Sequence, residues 1–196
     1  MALQTRVKIN SVTHLSDARY CAGMGVEWIG FCLDSTHPSY ISPSRFLELS
    51  GWITGVQLIG EFFKQNCEEI KTTLQNYAVQ WIQTDRVDEI NSIRQLGYPT
   101  ILRLSEPIEL PPFQHNLPDL YLLLELNDHL SKEHITEWKK KYPDYKLLVG
   151  GITKENSLSL AAGVDGIALN GSHEIKTGYS DFETLASILE ALEIED

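Results

Sequence analysis

One carboxylate, Glu125, closes the otherwise apolar run Leu120-Tyr121-Leu122-Leu123-Leu124. A carboxylate in such a run is costly unless it serves a site or forms a structural ion pair. Burial would raise its pKa, as a general acid requires. Two glycine-bearing segments follow other apolar runs: Gly150-Gly151-Ile152-Thr153 after 146–149, and Asn170-Gly171-Ser172 after 166–169. Glycine lets backbone amides approach a ligand closely, and amides at a helix start suit a phosphate. The alternative is that these glycines only make tight turns. Lys8, Asn10 and Ser11 close the first apolar run. Asparagine donates and accepts hydrogen bonds but cannot cycle a proton, so Asn10 either contacts a ligand or bonds the strand-end backbone. Arg103 ends another run and either supplies positive charge to an anionic ligand or pairs with Glu106. His37, in the loop after the second run, is the weaker polar candidate.

Side chains from separate runs can meet only if the runs are strands of one sheet. Strands are expected at 6–11, 28–33, 55–60, 78–83, 99–104, 120–126, 146–149 and 166–169, each short and apolar. Helices are expected at 15–24, 43–49, 66–77, 87–96, 131–142, 153–162 and 181–192. Ser42 followed by Pro43 is a helix start, Ser131 and Ser180 read as caps, and Gly97 as a stop. Between 106 and 118 stand Pro107, Pro111, Pro112 and Pro118, which predict an irregular connection instead of a helix. Strands that alternate with helices give a parallel sheet, and eight such units favour a closed (β/α)8 barrel. The site then lies at the C-terminal ends of the strands, where the residues above stand.

Length and composition fit that architecture. The chain has 196 residues, near the lower limit of about 200 for a full barrel, so one domain with short loops is expected. It is 42% hydrophobic and 22% charged, ordinary for a globular protein. A net charge of -11 repels nucleic acid and anionic membrane, so neither is an expected partner. The three cysteines, Cys21, Cys32 and Cys67, are widely spaced and suggest neither a disulfide framework nor a zinc site. No export signal and no apolar run of about 18 residues is found, which predicts a cytoplasmic protein. There is no P-loop, no GxGxxG and no metal-ligand spacing, so neither cofactor nor metal is expected. The expected partner is a phosphorylated small molecule, bound by a monomer or homodimer.

The run Lys8-Ile9-Asn10-Ser11-Val12-Thr13, the loop Tyr40-Ile41-Ser42-Pro43 and the strand Ala78-Val79-Gln80-Trp81-Ile82-Gln83 together resemble the phosphoribosylanthranilate isomerases, the (β/α)8-barrel family of tryptophan biosynthesis. The resemblance implies an Amadori rearrangement of a phosphoribosyl substrate, with acid-catalysed ring opening and proton abstraction at the sugar C2. It places the catalytic base, a cysteine in that family, at Asn10, and the general acid, an aspartate there, at Glu125. It places a carboxylate-binding arginine at Ser39 and a common histidine at Gln83. Lys8 matches a family lysine, and the turns at Gly150, Gly151, Asn170, Gly171 and Ser172 match its phosphate loops.

The base, the arginine and the histidine are thus all replaced, while the phosphate turns remain. Three readings follow. The first is an isomerase-like barrel that binds a phosphorylated sugar-type molecule without standard isomerase activity. The second is an active isomerase whose base has moved to Cys32 or Asp34. The third is a non-catalytic interaction subunit.

Overall fold

In a computed structural model of the chain, described for residues 2–106, 108–113, 118–127, 132–153, 156–172, 174–176, 179–180 and 182–194, the eight expected strands close into one parallel barrel in sequence order. They are β1 Val7–Asn10, β2 Trp28–Cys32, β3 Gln57–Phe62, β4 Trp81–Thr84, β5 Thr100–Leu104, β6 Leu120–Glu125, β7 Lys146–Gly150 and β8 Gly166–Asn170. The ring closes where β1 pairs with β8, and that pairing sets Asn10 beside Asn170. The helices are α1 Leu15–Gly23, α2 Pro43–Ser50, α3 Cys67–Leu74, α4 Ile90–Arg94, α5 Lys132–Lys141, α6 Ser157–Ala161 and α7 Phe182–Ala191. Ser42 caps α2 by accepting from the Arg45 amide at 3.3 Å. Asn66 and Glu69 form a reciprocal box at the start of α3.

Strand alternation divides each strand between two surroundings. Val7, Ile9, Ile29 and Phe31 face outward and pack with Ala18, Phe46 and Leu189 of the helices. Lys8, Asn10 and Trp28 take the opposite face, toward the barrel axis. The lower interior is apolar and aromatic. Trp28, Trp81 and Tyr121 stack edge to face, with ring centroids 5.3–5.6 Å apart. Ile59, Ile101, Leu123 and Leu148 pack in the same cluster. Polar side chains crowd the other end, at the strand C-termini.

Several expected boundaries move. The third strand starts at Gln57 and runs through Glu61 to Phe62, where the expectation stopped at Gly60. Gly55, at φ +79°, belongs to the turn before it. The fourth strand starts at Trp81, not Ala78, because the Gln80 side chain stands in for a ladder bond and accepts from the Leu58 amide at 2.7 Å. The fourth helix is confined to Ile90–Arg94, and Val87 lies in a turn closed on the Asp85 carbonyl. The helix expected at 153–162 begins at Ser157, because the Asn156 side chain accepts from the Thr153 amide and holds a turn there.

Between β5 and β6, residues 108–113 and 118 form no helix or strand, as the prolines predict. Leu110 and Phe113 are buried against Trp138, and the Pro118 carbonyl accepts from Arg94. Pro107 and the expected cap at Ser131 fall outside the described residues, as does the helix start at Asp181. A small hairpin, β9 Glu174–Lys176 with β10 Tyr179–Ser180, follows the barrel and was not expected. None of the described helices is long and apolar enough to cross a membrane.

Candidate functional site at the barrel mouth

Period-two alternation puts Lys8 and Asn10 on one face of β1, and both point inward. Lys8 is fully buried and its Nζ lies 2.5 Å from Glu61 Oε1 on β3. It also donates to Asn10 Oδ1. Burial pulls the Lys8 ammonium below the ordinary lysine value, and the Glu61 charge opposes that pull. Asn10 Nδ2 donates to Asn170 Oδ1 at 3.2 Å. The amide at position 10 is therefore engaged at both ends.

Glu61 is one of the residues at this candidate site that sequence reasoning did not single out. Its second oxygen accepts from the Ser11 amide at 2.9 Å and the Ser11 hydroxyl at 2.7 Å. Ser11 sits at φ +48°, the one non-glycine in that region among the described residues. Such a backbone costs energy unless its surroundings hold it, and the two bonds to Glu61 do so. Gly30 makes the arrangement possible, because a Cβ there would lie 1.9 Å from Glu61 Oε1. The sequence signal available was a charged residue two positions beyond an inward-facing isoleucine, Ile59.

Above this cluster is a cavity of about 190 Å³, lined by Asn10, Ser11, His37, Ser39, Glu61, Phe63, Gln83, Arg103 and Asn170. Seven sequence-derived residues, Asn10, Ser11, His37, Ser39, Gln83, Arg103 and Asn170, thus come together. Arg103 stacks over Phe63 at 4.6 Å and forms a fork with Asp85, Nε to Oδ1 at 3.0 Å and Nη2 to Oδ2 at 2.6 Å. Asp85, not Glu106, is its partner. Burial would lower the Arg103 pKa, but Asp85 outweighs it and the group is held above its ordinary value. His37 Nδ1 accepts from the Ser39 amide at 3.1 Å. Gln83 is 1% exposed, and its Oε1 is buried without a hydrogen-bond partner.

Glu125 ends β6 outside that lining. Among the described residues its carboxylate forms no ion pair or hydrogen bond. Burial raises its pKa, against the lowering charges of Arg103 and Lys8. Gly150, its neighbour across the β6–β7 ladder, provides the space, since a Cβ there would lie 2.3 Å from Glu125 Oε2.

The two glycine turns differ. Gly151, at φ +72°, turns the chain after β7, and no bond to the amides of Gly151 and Ile152 is found among the described residues. After β8 the amides are already used. Gly171 donates to the Asn10 carbonyl at 2.8 Å. Ser172 donates its amide to Asp17 Oδ2 at 3.0 Å and its hydroxyl to the same oxygen. The geometry therefore corrects the expectation for Gly171 and Ser172. Gly171 serves the tight approach of β8 to β1, where a Cβ would meet the Asn10 carbonyl at 3.1 Å.

The two groups named as substitute bases lie elsewhere. Cys32 is buried at the end of β2, and burial pushes its thiol up to about 12. Asp34 accepts from the Thr36 amide at 2.9 Å and hydroxyl at 2.7 Å, and it faces a separate groove lined by Tyr40, Gln65 and Glu69. No cluster of three or more possible metal ligands occurs among the described residues.

The fold and site define a class: a parallel eight-stranded barrel with a small polar cavity at the C-terminal ends of its strands. Within that class the chain is similar to N-(5'-phosphoribosyl)anthranilate isomerases. It is 25% identical over 205 residues to that enzyme from Dechloromonas aromatica (strain RCB), covering 99% of each chain. It is 25% identical over 191 residues to the one from Sulfurovum sp. (strain NBC37-1), covering 94% of this chain and 96% of the relative.

Among solved structures, phosphoribosyl anthranilate isomerase from Thermus thermophilus aligns with a TM-score of 0.74 and 22% identity, over 96% of this chain and 98% of that one. A phosphoribosyl anthranilate isomerase in complex with reduced 1-(o-carboxyphenylamino)-1-deoxyribulose 5-phosphate aligns at 0.73 and 18%, over 95% and 97%. No family model matches the chain. The resemblance nevertheless extends along nearly the whole chain, in sequence to the curated relatives and in fold to the solved structures.

Proposed function

We propose that this protein is a single-domain, phosphoribosylanthranilate isomerase-like barrel that binds a phosphorylated sugar-type small molecule. We further propose that it does not carry out the Amadori rearrangement by proton abstraction at position 10. The carrying observation is Asn10, whose Oδ1 accepts from Lys8 and whose Nδ2 donates to Asn170. An amide committed at both ends neither takes up nor releases a proton near neutral pH.

The substitute bases fare no better. A thiol pushed to about 12 is almost wholly protonated at pH 7, and Asp34 is committed to Thr36 outside the cavity. Losing a general base typically lowers the rate ~10²–10⁴-fold. Ser39 lines the cavity where the resemblance puts an arginine, so the contact to an aromatic carboxylate is absent as well. Glu125 is held toward its protonated form, the state a general acid needs, but it stands outside the cavity lining. Phosphate binding is supported by the amides of the Gly151 turn, at the end of the barrel where this fold often places a phosphate.

The test is turnover of N-(5'-phosphoribosyl)anthranilate by purified wild-type protein beside an Asn10→Cys/Ser39→Arg variant. The expected wild-type rate is at least ~10²-fold below the variant's, and ribose 5-phosphate raises the wild-type Tm by mass action. Wild-type turnover equal to the variant's overturns the catalytic half of the reading. Absence of any Tm shift with ribose 5-phosphate overturns the binding half.

A further inference from the structure

The cavity at the barrel mouth has side chains of three carboxamides in its lining, Asn10, Gln83 and Asn170. The oxygens of two are engaged: Asn10 Oδ1 accepts from Lys8, and Asn170 Oδ1 accepts from Asn10. The charged groups are paired: Glu61 with Lys8 and held by Ser11, and Arg103 by the fork to Asp85. Gln83 is the one of the three carboxamides whose oxygen has no hydrogen-bond partner among the described residues. It is 1% exposed, it lines the cavity, and its Oε1 is buried with no partner. Buried carboxamides left unsatisfied are rare in folded proteins, so an unpaired one facing a cavity marks a place for a ligand.

We infer that Gln83 is the specificity-determining residue of this cavity, and that it takes an uncharged, hydroxylated carbon chain: the sugar part of a sugar phosphate, without an aryl substituent. The inference rests on the sugar-phosphate reading above and specifies its ligand. A carboxamide offers one acceptor and two donors on a planar group. A hydroxyl is both donor and acceptor, so neighbouring hydroxyls of a sugar can satisfy the C=O and the N–H2 together, whereas a carboxylate or a fully ionised phosphate can meet only the N–H2. Both charged side chains in the lining are paired, Glu61 with Lys8 and Arg103 with Asp85, so the phosphate is placed at the Gly151 turn. Size agrees, because about 190 Å³ is well under the roughly 300–1,000 Å³ of sites that hold drug-sized ligands.

Calorimetric titration of the intact protein with ribose 5-phosphate, 2-deoxyribose 5-phosphate, ribose, inorganic phosphate and anthranilate tests this. Ribose 5-phosphate is expected to bind wild type at least 10-fold more tightly than inorganic phosphate or the 2-deoxy analogue, and anthranilate not to compete. Gln83→Leu is expected to remove most of the preference for ribose 5-phosphate and to leave inorganic phosphate unchanged. Equal affinity of wild type for ribose 5-phosphate and inorganic phosphate overturns the inference, as does an unaltered preference in Gln83→Leu. The 2-deoxy comparison is made on wild type and stands even if the variant does not fold. Ribose binding that depends on Gln83, with no response to phosphate, would sustain this inference while overturning the phosphate half of the reading it rests on. Binding of none of the five overturns both.

Discussion

Glu61 Oε1 lies 2.5 Å from Lys8 Nζ, and both side chains are completely shut from solvent. The pair joins two strands that are not neighbours in the barrel, reaching across β2. A buried pair of this kind adds little net stability against an apolar pair of the same volume, but removing one partner leaves an uncompensated buried charge. Glu61→Ala is therefore expected to lower the unfolding free energy by about 3–5 kcal/mol. Lys8→Met combined with Glu61→Leu should recover most of that loss. Urea denaturation of wild type and the two variants gives the comparison, and a Glu61→Ala cost below about 1 kcal/mol would mean the two charges do not depend on each other.

Gly30 should tolerate no side chain. Its hypothetical Cβ sits 1.9 Å from Glu61 Oε1 and 3.1 Å from Lys8 Nζ. Gly30→Ala is expected to displace the carboxylate and cost about 3 kcal/mol or more, by combined overpacking and loss of the pair. Gly23, at the end of α1, has open space where its Cβ would be, so Gly23→Ala should change stability by no more than about 1 kcal/mol. The Tm difference between the two variants reads the contrast directly.

Asp17 holds the turn after β8 by accepting twice from Ser172, and it is fully buried in α1. Asp17→Ala leaves the buried Ser172 amide and hydroxyl without that acceptor. A loss of about 2–3 kcal/mol follows, the range for hydrogen bonds to a charged group. Asp17→Asn keeps one acceptor oxygen and should lose less. Chemical denaturation ranks them, and an Asp17→Asn loss as large as that of Asp17→Ala would show that the charge, not the acceptor oxygen alone, holds the turn.

Glu125 has its folded pKa raised above the ordinary carboxylate value. The folded state then binds more protons than the unfolded state between those two values, so stability falls as pH rises through that window. Gln at this position does not titrate. The stability of Glu125→Gln minus that of wild type is therefore expected to be smallest at low pH, to increase as pH rises past about 4.5, and to level off above the folded pKa. Unfolding free energies measured at intervals from pH 4 to 8 supply the curve. A difference that shrinks with rising pH would mean that the carboxylate is stabilised by Arg103 and Lys8 more than it is penalised by burial.

The barrel was legible because its signals are local. Each strand is a short apolar run, most βα turns carry glycine, asparagine or proline, and period two alone places Lys8 with Asn10. The site was legible where a residue stands at the end of a run, as Gln83, Arg103 and Asn170 do. It was illegible where a residue's meaning depends on a distant partner. Glu61 reads as the end of a strand until Lys8, 53 positions away, neutralises it. Gly171 and Ser172 read as a phosphate turn until Asp17, 155 positions before Ser172, takes the amide. Arg103 next to Glu106 in sequence suggests a pair, yet strand geometry aims the guanidinium at Asp85.

The aromatic floor of Trp28, Trp81 and Tyr121 has a consequence for traffic. Arg6 and Lys146 both donate to the Tyr121 hydroxyl from below, at 3.0 and 2.9 Å, so the lower opening is stoppered by stacked rings and the two cations that grip one of them. The barrel is a blind cup. Among the described residues, whatever enters past Ser39 and His37 meets closed packing below, so it and the water it displaces pass the same rim. Arrival of a ligand and departure of solvent are then one event at one doorway, and the loops around that rim set the rate of both.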